Sequence, residues 1–411
     1  MDDRSLRKIG GRLKLEVVGL SKFPLSLLIA VFGLTGCRGA DVPGHSAALA
    51  VQKIDPQWDS LLGSPRRDAD DIGRFLAGLP ARDGSPLAAL ESDSVWKEHA
   101  GRLDQLWEKT QKARMAQMRD FHKAALSGGS LDKAKVFYPF SGPDVLTLLT
   151  FFPDHDDYIM AALEPPGTVP PAGEFKAEIL GDQLAGLQGT LNSLLGRSFF
   201  ITREMDRQLR GQVTDGVLPV MLVQLVRMKK QVLRWQSAGI DEEGRLILRH
   251  DSAPRAAFGR NRSVLLEIKD EDTGRKQRLL YVSLNLDNAH IGTNSGFKKF
   301  VEGLGPVDTL LKSTSYMPHH NNFSIIRDLI LAQSVSVVQD DTGVPFRMFD
   351  AAKWQVDLYG TYDKPYGSFA YMVQKDLQEA YKSEAVKPLS FRIGYGYGRV
   401  PSNLQVARRK S

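Results

Sequence analysis

The sequence predicts an α/β protein on a Rossmann-like, mostly parallel sheet. A helical layer precedes the sheet, and an aromatic-rich, irregular C-terminal extension follows it. Three observations carry this expectation. Short β-rich apolar runs alternate with helical periodicity from Lys135 onward, whereas the preceding stretch is helical. Strand, tight turn, helix and strand fall within about thirty residues in 136–167, the signature of a βαβ unit. A chain of 411 residues, 42% hydrophobic and 25% charged, has the composition of a globular protein with a substantial core.

The first elements are not part of that fold. Arg4, Arg7, Lys8, Arg12, Lys14 and Lys22 outnumber Asp2, Asp3 and Glu16, and "FPLSLLIAVFGLTGC" follows Lys22. A basic region, a short apolar run and small residues are the marks of an export signal, and the run is too short for a spanning helix, which needs about 20 residues. Leu34-Thr35-Gly36-Cys37 resembles the lipobox of bacterial lipoproteins, in which the thiol is acylated with palmitate-type chains and the peptide bond before it is cut. Residues 1–36 are therefore expected to be a lipoprotein signal peptide and Cys37 the lipidation site. Acyl chains, at about 0.8 kcal/mol per buried CH₂, would anchor the protein to a membrane. The expected location is the bacterial cell envelope, at the outer membrane or periplasmic face. Cys37 is the only cysteine, which excludes an intramolecular disulfide and a cysteine zinc site.

Residues 37–66 are small, polar and punctuated by Pro and Gly, a tether. Residues 67–130 form the helical layer: Ile72, Phe75, Leu76 and Leu79 fall at helical spacing before Pro80, and Trp96, Leu103, Trp107, Met115, Met118 and Phe121 share one broad face of one long helix or two consecutive ones. Residues 131–350 are the α/β domain. "KVFYPF" and "DYIMAALEP" read as strands around the helix "DVLTLLTFF". Helices are expected near 174–195 and 199–209, then an apolar helix leading into a strand. Asp272-Thr273-Gly274 turns a hairpin, "SGFKKFVEGLG" is a short helix closed by Gly305, and strand, helix, strand follow through "SVSVVQDDTG". Residues 351–411 are read as the extension packed on the domain. The net charge of +6 comes largely from the leader and from Arg408, Arg409 and Lys410, without a basic, aromatic-interleaved block, so no nucleic-acid partner is expected.

Three constellations could carry chemistry. In doubly wound sheets the turn after the first strand and the acid ending the second lie at the carboxyl edge, where ligands bind. Here these are Tyr138, Ser141, Gly142, Asp144 and Glu164. The loop has one glycine, Pro143 removes a donor, and the two acids oppose phosphate; alternatively, Ser141 or Asp144 simply caps the helix. The second constellation is Lys312, Ser313, Ser315, Tyr316, His319 and His320, where a histidine with Asp340 could do acid–base work, or Asn322 could cap the next helix. Lys312 and Ser313, adjacent on a strand, are expected to face apart. The third is Asp340-Asp341, a carboxylate pair or an ordinary turn before Gly343. The site is expected to have Tyr138, Ser141, Gly142 and Asp144 as its floor, Glu164 as one wall, and Lys312, Tyr316, His319 and Asp340 as the other. No metal site is expected and no cofactor is assigned.

"VFYPFSGPD", "LLKSTSYMPHHNNFSIIRDLIL", "VVQDDTGVPFR" and "PLSFRIGYGYGRVPSNL" together resemble an uncharacterised family of bacterial exported proteins. The resemblance covers 68–404. It implies an exported lipoprotein with one continuous fold and brings no activity. The leading expectation is thus a lipid-anchored envelope protein binding a small molecule, glycan or envelope component. The alternative is a divergent methyltransferase-like enzyme.

Overall fold

Along each central strand, successive side chains feed two different cores. Val136 and Tyr138 pack into one and Phe137 into the other; Tyr158 and Met160 alternate likewise with Ile159 and Ala161, and Leu279 and Tyr281 with Leu280 and Val282. This period of two puts apolar residues on both faces, so both faces are covered by helices. Each fully buried Leu, Val or Ile stabilises the fold by about 1.5–3 kcal/mol.

The computed structural model describes residues 68–127, 135–197, 216–248, 262–293, 295–396 and 402–410, all within a compact unit spanning Ala50–Ser411. The leader, Cys37, the tether and the helix expected near 199–209 lie outside the described residues.

The strands are β1 (Lys135–Pro139), β2 (Asp157–Ala162), β3 (Lys230–Ile240), β4 (Leu246–Leu248), β5 (Arg262–Asp270), β6 (Lys276–Ser283), β7 (Val307–Leu311), β8 (Ser334–Gln339), β9 (Trp354–Gly360) and β10 (Asn403–Arg409). They form one ten-stranded sheet in the order β4-β3-β5-β6-β2-β1-β7-β8-β10-β9. The centre, β6-β2-β1-β7-β8, is parallel. Both flanks are antiparallel, β4-β3-β5 against β6 and β10 between β8 and β9. The sheet is therefore mixed rather than mostly parallel. The hairpin at Asp272-Thr273-Gly274 supplies the antiparallel β5-β6 pair. The segment expected to be an irregular extension contributes β9 and β10, whose alternating residues Leu404, Val406 and Ala407 belong to the two cores.

One face carries the helices α1 (Ala69–Leu76), α2 (Ser94–Thr110), α3 (Ala116–Phe121), α4 (Val145–Phe151), α5 (Leu180–Arg197) and α6 (Leu218–Arg227). The stretch from α2 through α3 is continuous across π turns at Gln111–Met115 and His122–Leu126. Its stripe packs as expected: Trp96, Leu103, Met115, Met118 and Phe121 are buried, with Trp107 half-buried against them. The other face carries α7 (Asn288–Thr293), α8 (Ser295–Glu302) and α9 (Ser324–Gln333); α10 (Lys375–Ala380) buries Leu377 against Leu358 and Tyr362. Among the described residues no helix is long and apolar enough to cross a membrane.

Candidate functional site

The loop after β1 is bent by left-handed residues, Phe140 at φ 60° and Gly142 at φ 50°. Gly142 adopts this without penalty, whereas Phe140 does not. The turn delivers Asp144 to the start of α4, where its Oδ1 accepts from Thr147 N at 3.2 Å. Gln224 on α6 accepts from Leu146 N at 2.9 Å and donates to the Pro143 carbonyl at 2.6 Å, and Val145 N donates to that same carbonyl at 2.8 Å. The first amides of the helix are thus satisfied by the protein, and the cap reading of Asp144 holds. Nothing remains there to cradle a phosphate.

Lys312, just past the end of β7, forms an ion pair with Asp144; their side chains are 4% and 3% exposed. Lys312 also donates to Thr147 Oγ1 at 3.2 Å, and the Tyr138 hydroxyl donates to Asp144 Oδ2 at 3.1 Å. Burial opposes charge on both partners. For Asp144 the Lys312 ammonium, with hydrogen bonds from Lys312 and Thr147, outweighs burial and holds the carboxyl below its ordinary value. Burial lowers the Lys312 pKa, and Asp144 resists that. The pair is stable as a pair only; stranding either member would leave an uncompensated buried charge.

Above this pair lies a cavity of about 440 Å³. Four parallel strands meet there by their carboxyl ends: Tyr138 to Asp144 after β1, Ala162 to Glu164 after β2, Leu284 to Leu286 after β6, and Lys312, Ser313 and Ser315 after β7. Because β1 lies between β2 and β7, the cavity sits where the strand order reverses, the usual ligand crevice of open α/β sheets. Phe323 and Met317 close one side, and Tyr366, Phe369 and Tyr395 from the C-terminal segment form the outer wall. Tyr395 stacks on Phe369 (5.4 Å, 29°) and on Tyr366 (6.0 Å, 20°).

Behind this wall is Asp340. It accepts from Ser313 N at 2.9 Å, from Thr342 N at 3.0 Å and from the Thr342 hydroxyl. Burial pushes the Asp340 carboxyl up to about 6, with Asp341 adding to the effect against the Thr342 and Ser313 hydrogen bonds. The loop it holds is left-handed at three residues, Ser313, Ser315 and Tyr316 (φ 54°, 55° and 57°). Three of the five described non-glycine residues of positive φ, Phe140, Ser313 and Ser315, line this cavity; Tyr316 adjoins Ser315, and Lys229 is elsewhere. Such backbone costs about 1–3 kcal/mol per residue and tends to collect at functional sites. Tyr395 ties the loop down, its hydroxyl donating to the Ser313 carbonyl and pairing with Ser315 Oγ, each at 2.9 Å. Gly394 abuts the carboxylate: a Cβ there would lie 2.4 Å from Asp340 Oδ2.

The cavity therefore brings together Tyr138, Ser141, Gly142, Asp144, Glu164 and Lys312, as expected from chain order. It does not include Tyr316, His319 or Asp340 in its lining. The left-handed turn at Tyr316 directs its hydroxyl to Asp341, and His319 packs edge-on against that ring at 5.1 Å. Burial, reinforced by Arg347, lowers the His319 pKa to about 4, so it is neutral at physiological pH. Ser313 lies beyond the end of β7 in a left-handed conformation, so strand alternation does not apply and it shares the lining with Lys312. Asn322 does not cap α9; Asn288 of α7 does, accepting from Ile325 N at 3.0 Å. Asp340 to Gly343 is a turn closed at 3.2 Å. Among the described residues no group of three or more His, Cys, Asp or Glu side chains is placed to hold a metal ion. Unforeseen were Phe140, Phe323, Tyr366, Phe369 and Tyr395, whose aromatic character was visible but whose convergence was not. Compared with known proteins, the chain matches no family model, no curated protein and no solved structure.

Proposed function

We propose that this is a lipid-anchored cell-envelope protein whose α/β body binds a small molecule at the carboxyl edge of its parallel strands. The observation that carries the binding part is the cavity at the strand-order reversal, ringed by four strand ends and six aromatic side chains. The anchoring part is supported by the basic, then apolar leader ending at Leu34-Thr35-Gly36-Cys37. Two experiments test the two parts separately. Cys37→Ser should accumulate as an unprocessed precursor without lipid label; normal maturation would end the anchoring claim. Thermal-shift screening of the purified protein against sugars, amines, nucleotides and S-adenosylmethionine should give a saturable shift that Phe369→Ala abolishes. A flat response across the panel would count against the binding claim.

A second reading, a methyltransferase-like enzyme, is favoured by one observation. Counted in chain order, the parallel centre runs third-second-first-fourth-fifth, the order of nucleotide-binding α/β halves, and Glu164 closes the second strand. Against it stand the fully capped start of α4 and an envelope location away from cytosolic coenzymes. Saturable binding of S-adenosylmethionine with methyl transfer to an added acceptor would promote this reading over the first.

A further inference from the structure

We propose that the group bound in this cavity is an alkylated onium, a quaternary ammonium or sulfonium centre on a small scaffold; this rests on the reading that the cavity binds a small molecule. Three features of the lining select that chemistry.

The first is charge. Asp144 and Glu164 line the cavity, and Asp340 and Asp341 lie directly behind it. Among the described lining residues Lys312 is the only cation, and Asp144 already pairs with it. Arg114, whose charge acts on the same pair, is buried behind it. Among the described residues this is four carboxyl groups against two cations, a balance that disfavours phosphate, sulfate and carboxylate ligands and favours a positive one.

The second is that much of the polar lining is already engaged. The Tyr138 hydroxyl donates to Asp144. Asn285 donates to the Asp287 carboxylate at 2.9 Å and accepts from Asp287 N at 3.2 Å. Ser315 is engaged with Tyr395. A sugar needs many new hydrogen bonds from such walls, whereas an onium centre carries no N–H or O–H and needs only the field. A bare ammonium or metal ion would lose its hydration shell without replacement; an alkylated centre is weakly hydrated and enters apolar surroundings more readily.

The third is the aromatic surface. The near-parallel rings of Tyr366, Phe369 and Tyr395 line one side, and Phe140 and Phe323, with centroids 5.9 Å apart, line another. Ring faces attract cations through their quadrupole, and quaternary ammonium recognition is a recurrent use of that attraction. Two lining hydroxyls stay unused: Ser141 Oγ and Ser313 Oγ are buried without a partner among the described residues. They suit a polar handle on the ligand, as in an amino alcohol.

The test compares choline with 3,3-dimethylbutan-1-ol, the same skeleton with carbon in place of nitrogen, by calorimetry on the full chain in detergent. Choline should bind at least about tenfold more tightly. Trimethylsulfonium and tetramethylammonium, run in parallel, tell which centre fits better, and binding of either supports the proposal. Glu164→Gln should weaken choline about tenfold while leaving the neutral alcohol unchanged. The choline–alcohol comparison needs no variant, so a misfolded mutant cannot hide the answer. Equal binding of the two isosteres overturns the proposal, as does binding of N-acetylglucosamine without any onium; in both cases the cavity remains a ligand site. If none of these probes, nor any compound of the screening panel, binds, the proposal and the binding reading fall together.

Discussion

The two edges of the parallel sheet treat polar groups differently. At the amino edge each acid has a side-chain partner: Arg278 pairs with Asp157 at 2.6 Å and Arg275 with Asp156 at 2.7 Å, and His155 Nε2 lies 2.8 Å from Asp308, with Asp157 and Asp308 buried and the Arg275–Asp156 pair more exposed. The Lys135 ammonium caps the Leu304 carbonyl at 2.8 Å. At the carboxyl edge, Asp144, Lys312 and Asp340 are buried, and left-handed residues collect around them. The amino edge is arranged for stability. The carboxyl edge adds left-handed backbone to its buried charge, a combination that suits the binding role proposed for it.

Four single variants and one double variant can break or sharpen that contrast. The largest effect is expected from Lys312→Ala, which strands Asp144 in the interior and should destabilise by about 3–5 kcal/mol in urea denaturation. Combining it with Asp144→Asn should recover a large part of that loss, and strict additivity would show that the pair is not coupled. Next comes pH. The Asp340 pKa of about 6 lies above the 3.8 of an ordinary aspartate. Below pH 4 the group is protonated in both folded and unfolded states. Between 4 and 6 the unfolded chain ionises first, so this group's contribution to stability falls as pH rises, by on the order of 2 kcal/mol, and is constant above. Asp340→Asn should flatten that slope relative to wild type in denaturation series at pH 4, 5, 6 and 7. Asp270, held down to about 2 mainly by its bonds to Lys230 and Thr273 against burial, acts in a lower window and with the opposite sign.

Ser313→Gly should raise stability by about 1 kcal/mol, because glycine accepts φ 54° freely and the hydroxyl it removes has no partner among the described residues. A loss of stability would mean that this backbone is not strained. The smallest effect belongs to the amino edge. Arg275→Ala breaks a pair whose side chains are 33% and 44% exposed, and should cost about 0–1 kcal/mol. If it rivalled Lys312→Ala, the contrast between the edges would fail.

Much of the sheet was legible because its signals are local. The β1–α4–β2 unit, the hairpin and β7–α9–β8 each lie within a few dozen residues and obey simple periodicities. Given those elements, the edge rule for parallel strands put Tyr138, Ser141, Asp144, Glu164 and Lys312 at one end of the sheet, where they line the same cavity. It failed where the backbone left the rule: Tyr316 and His319 follow left-handed residues, so strand alternation could not say where they point. Asp340 was misplaced by one layer of side chains. The outer wall was illegible for a different reason. Tyr366, Phe369 and Tyr395 lie in the connection between β9 and β10, whose ends are set by β10 inserting antiparallel between β8 and β9, and no short-range pattern specifies that register.

The insertion has a consequence for how the chain matures. β9 forms its ladder with β10, so the latest described strand in chain order must arrive before its neighbour can join the sheet. A polypeptide emerging amino end first would complete the parallel centre early and receive its last walls only when Asn403–Arg409 slot in. Non-local closure of this kind is slow and leaves strand borders transiently bare. Under the export proposed above, a precursor kept unfolded until it has crossed a membrane would avoid that half-built stage.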